Sequence, residues 1–366
     1  MNRRFVLFVA TGSPGNIRLM IAAARACRVA GIPVVCCTIP IWEHWVRAHG
    51  VSLRAISAGV ATLLTGDLRY PDVAHDSGSR SVFSKLRTRM VVSRAQTLFS
   101  IELTQLLADA SLIICHHALR RVATHADVLG IPCVTVSRYG TPPAAGGQRD
   151  RPVFYATSPA LSDPAVVQTA LQRITGEWLL PEPEALAAPL ARFVRVNLPY
   201  VVLTHGAFLG ASAQRVMQMA ATCVRDLGMR CLVLMPADLE TVKSDEQTMT
   251  WSGPLTHQQV IAGAACVIHP GGAGTTHRVV RAGVPGLAIP LQSSDLYWAR
   301  RALQVQLSVA VLHPKELTMP VLSDALAHMV TDVSYRHRSR LLATQMAAER
   351  GLDQMLTVVQ PYLGAS

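Results

Sequence analysis

Short apolar, β-branched runs recur along the chain with amphipathic stretches between them, and no other feature limits the fold so tightly. FVLFVA (5–10), IPVVCC (32–37), SLIICH (111–116) and IPCVTV (131–136) lack polar alternation, as strands buried on both faces do. Arg18 to Arg28 carries helical periodicity, is closed by Gly31, and is followed by Pro33 before the next run. YVVLTHG (200–206), CLVLMP (231–236), CVIHPGG (266–272) and GLAIP (286–290) repeat the pattern, and the tail from Val321 to Leu363 reads as helices. Strand alternating with helix predicts an α/β fold of parallel sheets and right-handed crossovers, twice over. A length of 366 residues fits two domains, each large enough for its own core. The proline-rich interval 178–199, with Pro181, Pro183, Pro189 and Pro199, sets their boundary, giving domains at 1–185 and 186–366.

Eight cysteines sit inside apolar runs without a C-x-x-C pair, so they read as buried reduced thiols and imply a cytoplasmic protein. The opening MNRRFVLFVA offers six apolar residues before Thr11-Gly12-Ser13-Pro14-Gly15, which fits a first buried strand better than a signal peptide. No window reaches the roughly 18 apolar residues of a membrane span. The net charge of +11 is uneven. Between Asp76 and Glu102 there is no acid, while Arg80, Lys85, Arg87, Arg89 and Arg94 fall inside that window. Phe83, Leu86, Met90 and Val91 share one helical face there, so residues 80–98 predict a basic amphipathic helix. Besides a solvated surface, its functional readings are recognition of an acidic acceptor or docking on anionic lipid. Nucleic acid is not expected, since no interleaved aromatics or recognised motif accompany the charge.

The most informative segment is His269-Pro270-Gly271-Gly272-Ala273-Gly274-Thr275-Thr276. A buried strand runs into three glycines, and Thr275 or Thr276 is placed to cap a helix that stops at Gly283. Glycine amides and a helix N-terminus suit a diphosphate. The segment is not a P-loop, because no Gly-Lys-Ser/Thr follows, and it lacks the third glycine and later acid of a dinucleotide fingerprint.

VIHPGGAGTTHRVVRAGVPGLAIPLQSSDLYWARRA (267–302) resembles the donor-binding segment of nucleotide-sugar-dependent GT-B glycosyltransferases, above all the bacterial natural-product branch of family one. Weaker likeness extends to GSPGN (12–16), FYATSPALSD (154–163), TGEW (175–178), VVLTHG (201–206) and SGPLTHQQVI (252–261). The resemblance implies two Rossmann-like domains facing across a cleft, the second holding the nucleotide sugar and the first the acceptor. It implies an inverting displacement at the anomeric carbon with a base on the first domain, and neither a cofactor nor a metal. By that resemblance Gly271, Gly272, Gly274, Thr275 and Thr276 hold the diphosphate, with Gly206 and His269 also in the donor site, Ser294 and Asp295 hold the sugar, and Leu255 with His257 the base region, while Ser13 and Gly15 lie on the acceptor side.

Three positions depart from the family. Pro270 stands where a histidine usually precedes the glycines, Ser294-Asp295 replaces an Asp/Glu-Gln pair, and Asn16 occupies the place of the catalytic His or Asp. An amide cannot take a proton at neutral pH. His116 and His117, ending a strand at the cleft edge, are the alternative bases. Neighbouring histidines on a strand point to opposite faces, which disfavours one shared metal ion. Arg278 stands where ribose-binding relatives carry Glu, which favours a dTDP over a UDP donor. The expected activity is transfer of a sugar, deoxygenated or not, to a hydrophobic small molecule. The alternatives are a catalytically silent GT-B partner and a lipid-acceptor enzyme at the membrane surface.

Overall fold

The computed structural model describes residues 5–65, 99–138, 151–164, 168–182, 185–204, 211–235, 242–253, 257–291 and 293–362. The expected basic helix at 80–98, Gly206 and Leu255 lie outside the described residues, as do the side chains of His257 and Ser294.

The first domain contains β1 (Phe5–Val9), β2 (Val34–Thr38), β3 (Ser52–Ala55), β4 (Ala110–His116), β5 (Cys133–Ser137), β6 (Val153–Tyr155) and β7 (Gln172–Ile174). They form one parallel sheet in the order β3-β2-β1-β4-β5-β6-β7. Its described helices are α1 (Pro14–Val29), α2 (Glu43–Ala48), α3 (Ala58–Thr65), α4 (residues 99–107) and α5 (Arg120–Val128). The second domain opens with α6 (Ala188–Arg195) and is built on β8 (Tyr200–Thr204), β9 (Arg230–Leu234), β10 (Thr248–Trp251), β11 (Cys266–His269) and β12 (Gly286–Ala288). This sheet is also parallel, in the order β10-β9-β8-β11-β12. Its helices are α7 (Ala211–Asp226), α8 (His257–Ala262), α9 (Ala273–Arg281), α10 (Ser293–Gln304), α11 (Met319–Thr331) and α12 (Val333–Ala347). The final helix is α13 (Gly351–Val359).

The apolar runs are strands for the reason expected: each is covered on both faces. Val6, Phe8 and Ala10 face one buried cluster with α1, while Leu7 and Val9 face another with α4 and α5. Strands β3, β6, β7 and β10 are only three or four residues long, too short for a periodic signal in the sequence. α1 starts earlier than its periodicity implied, at Pro14, whose fixed φ and missing N–H suit a first turn.

The expected boundary near residue 185 falls between β7 and α6, but the end of the chain does not stay with the second domain. Met355 and Val359 of α13 are buried with Ile17, Met20 and Trp178 of the first domain's core. α13 buries its apolar stripe against α1 and Trp178, so residues 351–359 pack on the first domain's core.

Strand order reverses between β1 and β4 in one sheet and between β8 and β11 in the other. Such switch points open a crevice at the carboxyl ends of the strands, where ligands bind in open α/β sheets. Ser13–Asn16 come after β1, His116 ends β4 with His117 next, and the glycine turn follows β11.

Candidate functional site

The turn after β11 is held from beneath. His269 is buried, and its Nδ1 accepts the Gly271 amide at 3.0 Å. Its Nε2 lies 2.9 Å from where a Cβ on Gly286 would stand, so the ring is wedged between the loop and β12. Burial lowers its pKa to about 4 and keeps it neutral. His269 therefore shapes the turn from beneath, and the Gly271 amide, expected at the diphosphate, is engaged by its ring. Nothing in the sequence told that the ring points inward.

Gly271 has φ +88°, and a Cβ there would meet the Asp295 carbonyl at 3.0 Å. That close approach seats the first turn of α10 on the loop and brings the buried Asp295 carboxylate beside it, Oδ1 lying 3.6 Å from a Cβ position on Gly272. The helix expected to be capped by Thr275 or Thr276 begins at Ala273 instead, with Gly272 as its N-cap. Gly272 O accepts from the amides of Thr275 and Thr276 and from the Thr276 hydroxyl, at 3.1, 3.0 and 3.1 Å. The Thr276 hydroxyl thus turns back into the loop, while Thr275 stays half-buried. The first amides of α9 have no acceptor within the helix and point out of its N-terminal end.

Arg138, which no local motif marks, joins this end to the first domain. It follows β5 directly, and its carbonyl accepts the Trp298 indole N–H at 3.0 Å. Its Nη1 and Nη2 lie 3.0 and 3.2 Å from a Cβ position on Gly274, and Nη1 lies 3.3 Å from one on Gly15. Gly274, expected at the diphosphate, and Gly15, expected on the acceptor side, thus admit a guanidinium between the starts of α1 and α9. Ser13, the N-cap of α1, makes no side-chain cap bond, and the half-buried Asn16 donates its backbone N–H to Ser13 O at 3.0 Å.

The two candidate bases differ. Because β4 ends at His116, strand alternation stops there, and the two rings approach to 4.4 Å at 45° instead of facing opposite ways. His116 is buried, its Nδ1 accepts the Ala118 amide at 3.3 Å, and its pKa falls to about 3, chiefly through burial and then the nearby His117 and Arg138. A base that weak, with that lone pair engaged, is poorly suited to taking a proton. His117 is half-buried, and burial lowers its pKa as well. Among the described residues, no three His, Cys, Asp or Glu side chains gather around a point where a metal would sit.

Behind the turn, the two domains are locked together. His277 Nε2 accepts the Ser158 amide at 3.2 Å, Arg301 donates to the carbonyls of Leu161 and Ser162 at 2.9 Å each, and the fully buried Trp298 packs with Leu161 and Met346. Arg281 donates twice to Glu177 Oε2, at 3.0 and 2.9 Å.

Across the whole length, the arrangement matches known structures. The calicheamicin glycosyltransferase CalG4 superposes with a TM-score of 0.77 at 14% identity, covering 100% of this chain and 99% of that one. The spinosyn rhamnosyltransferase SpnG, solved with thymidine diphosphate, superposes with a TM-score of 0.70 at 15% identity, covering 97% and 99%. The fold is GT-B. Within this GT-B chain, residues 248–355 match the family of erythromycin biosynthesis protein CIII-like C-terminal domains. The chain is 32% identical over 225 residues to the vancomycin aglycone glucosyltransferase of Amycolatopsis orientalis, covering 60% of this chain and 52% of that protein. It is 27% identical over 220 residues to the O-mycaminosyltylonolide 6-deoxyallosyltransferase of Streptomyces fradiae, covering 58% and 50%. The chain thus spans about half the length of these curated relatives. Among the described residues, no helix is long and apolar enough to cross a membrane.

Proposed function

We propose that this GT-B chain is an inverting glycosyltransferase moving a sugar, deoxygenated or not, from a dTDP- or UDP-linked donor to a hydrophobic natural-product acceptor. The observation that carries this reading is that Arg138, after β5, bridges the first turns of α1 and α9, each at a switch point of its sheet, with Asp295 beside the same glycine turn. The names of the relatives, a vancomycin aglycone glucosyltransferase and an O-mycaminosyltylonolide 6-deoxyallosyltransferase, support the acceptor class, and the thymidine diphosphate complexed with SpnG supports the donor class.

In the proposed step, the acceptor oxygen bonds to the anomeric carbon as that carbon's bond to the β-phosphate oxygen breaks. The acceptor proton passes to His117, and the nucleoside diphosphate leaves with the bonding electron pair. His117 is preferred because burial keeps its imidazole neutral near pH 7, while it remains more accessible than His116. The charge developing on the departing diphosphate is met by the outward amides of α9. In this reading Asp295 accepts hydrogen bonds from sugar hydroxyls.

Binding and turnover test the proposal separately. dTDP or UDP is expected to raise the melting temperature, and no shift at millimolar nucleotide would sink the donor assignment. H117Q is expected to lower kcat by about 10²- to 10⁴-fold with donor KM little changed, and unchanged turnover would remove His117 as the base. The weak basicity of His116 and the amide at Asn16 favour a second reading, a catalytically silent nucleotide-binding partner. That reading gains if the wild type binds dTDP or UDP but turns over none of a panel of donors and aglycones.

A further inference from the structure

Resting on the donor assignment above, we propose that Arg138 is a diphosphate-binding residue supplied by the first domain. Its guanidinium closes over the phosphates at the α9 N-terminus, so a bound donor draws on both domains at once.

The glycine turn is poor in donors of its own. Pro270 has no N–H, the Gly271 amide is held by His269 Nδ1 at 3.0 Å, and the Thr276 hydroxyl donates to Gly272 O at 3.1 Å. What remains is the α9 end, worth about half a positive charge, against a diphosphate carrying several times that. Arg138 supplies a full charge at the same point. Its Nη1 and Nη2 lie 3.0 and 3.2 Å from a Cβ position on Gly274, a residue of the first turn of α9. Nη1 also lies 3.3 Å from a Cβ position on Gly15, in the first turn of α1. Two helix N-termini and a guanidinium therefore meet at one place, and against them the turn has the single Asp295 carboxylate on its other side, at Gly272. A planar fork presenting two N–H groups matches phosphate oxygens in a way a lone ammonium does not.

The placement is built into the fold. Arg138 follows β5, and the Trp298 indole of the second domain fixes its carbonyl at 3.0 Å. The anchor is main chain, so replacing the side chain leaves it in place. Gly15 and Gly274 are small on both sides of the guanidinium, and a methyl group on Gly274 would press on it at 3.0 Å.

Calorimetric titration of wild type, R138A and R138K with dTDP, UDP, thymidine and uridine tests this assignment. R138A is expected to weaken the diphosphate the wild type prefers by about 10- to 100-fold while leaving its nucleoside within about twofold, and R138K to recover part of the loss. Equal diphosphate affinity in wild type and R138A overturns the assignment of Arg138. So does an equal weakening of nucleoside and diphosphate, which marks a purely structural role. Should R138A fail to fold, R138Q carries the same comparison. A wild type that binds none of the four overturns the donor assignment itself, an outcome distinct from the other two.

Discussion

Replacing Arg281 by Met removes the cation at the seam between the domains and leaves its carboxylates behind. Arg281 donates to Glu177 Oε2 at 3.0 and 2.9 Å, lies 3.7 Å from Glu349 Oε2, and donates to the Met346 carbonyl at 2.8 Å. The Arg281 side chain is 18% exposed and that of Glu177 only 4%, so water cannot stand in for the lost partner. Removing one member of such a pair costs about 3–5 kcal/mol, and stranding the Met346 carbonyl adds about 1 kcal/mol. At about 2–4 °C per kcal/mol for a domain of this size, the melting temperature should fall by roughly 8–24 °C near pH 8.

The deficit should also depend on pH. Burial holds the Glu349 carboxyl above its ordinary value, and Arg281 is among the groups pulling it back down. Without Arg281 the value rises further. A carboxyl whose folded pKa is raised contributes its full stability below the unfolded pKa of about 4.3 and loses it as pH rises through the folded value. The gap between R281M and wild type should therefore be smaller at pH 5 than at pH 8. E177L/R281M, which replaces the ion pair by apolar groups, should regain more than half of the loss. Calorimetric melting of the three proteins at both pH values is the assay. A gap under about 1 °C at pH 8, a gap of the same size at pH 5, or a double variant no better than R281M would refute the reasoning.

Two further outcomes follow from other parts of the fold. His116, His269 and His277 are all buried with lowered pKa values, the first two to about 3 and about 4, so each favours the neutral form in the folded state. Stability should be fully present above about pH 6.5 and fall on acidification, by about 1.4 kcal/mol per pH unit for each histidine. Glu349 works in the opposite sense, one group against three, so denaturant midpoints at pH 5 and pH 8 that coincide would count against the neutral-histidine reading. M355A should cost about 2–5 kcal/mol through loss of buried volume against the first domain's core. Hydrogen exchange of α1 amides checks it, since α13 packs on α1: faster exchange there is expected, and unchanged α1 protection would show that α13 does not support that core.

Much of the architecture follows from local rules that a single sequence carries. The runs at 5–10, 32–37, 111–116 and 131–136 are strands because uninterrupted apolar residues must be covered on both faces, and the turn at 269–276 follows a buried strand because glycines there permit φ +88° and close approach. Less legible were features set by partners distant in the chain. Arg138 is one arginine among 31, and nothing in its neighbours says that the end of β5 comes to rest on the first turn of α9. His269 carries the same chemistry whether its ring faces the ligand or the core, and only the packing of β12 turned it inward. α13 has an apolar stripe that any core would accept, and only the path of the chain delivers it to the first domain. Periodicity and turn chemistry act over a few residues, and they suffice for two parallel α/β sheets and a helix N-terminus opening behind a glycine turn. Which side chains converge there depended on contacts more than 130 residues apart, such as Arg138 with Gly274 and Trp298, and those the tertiary structure alone decided.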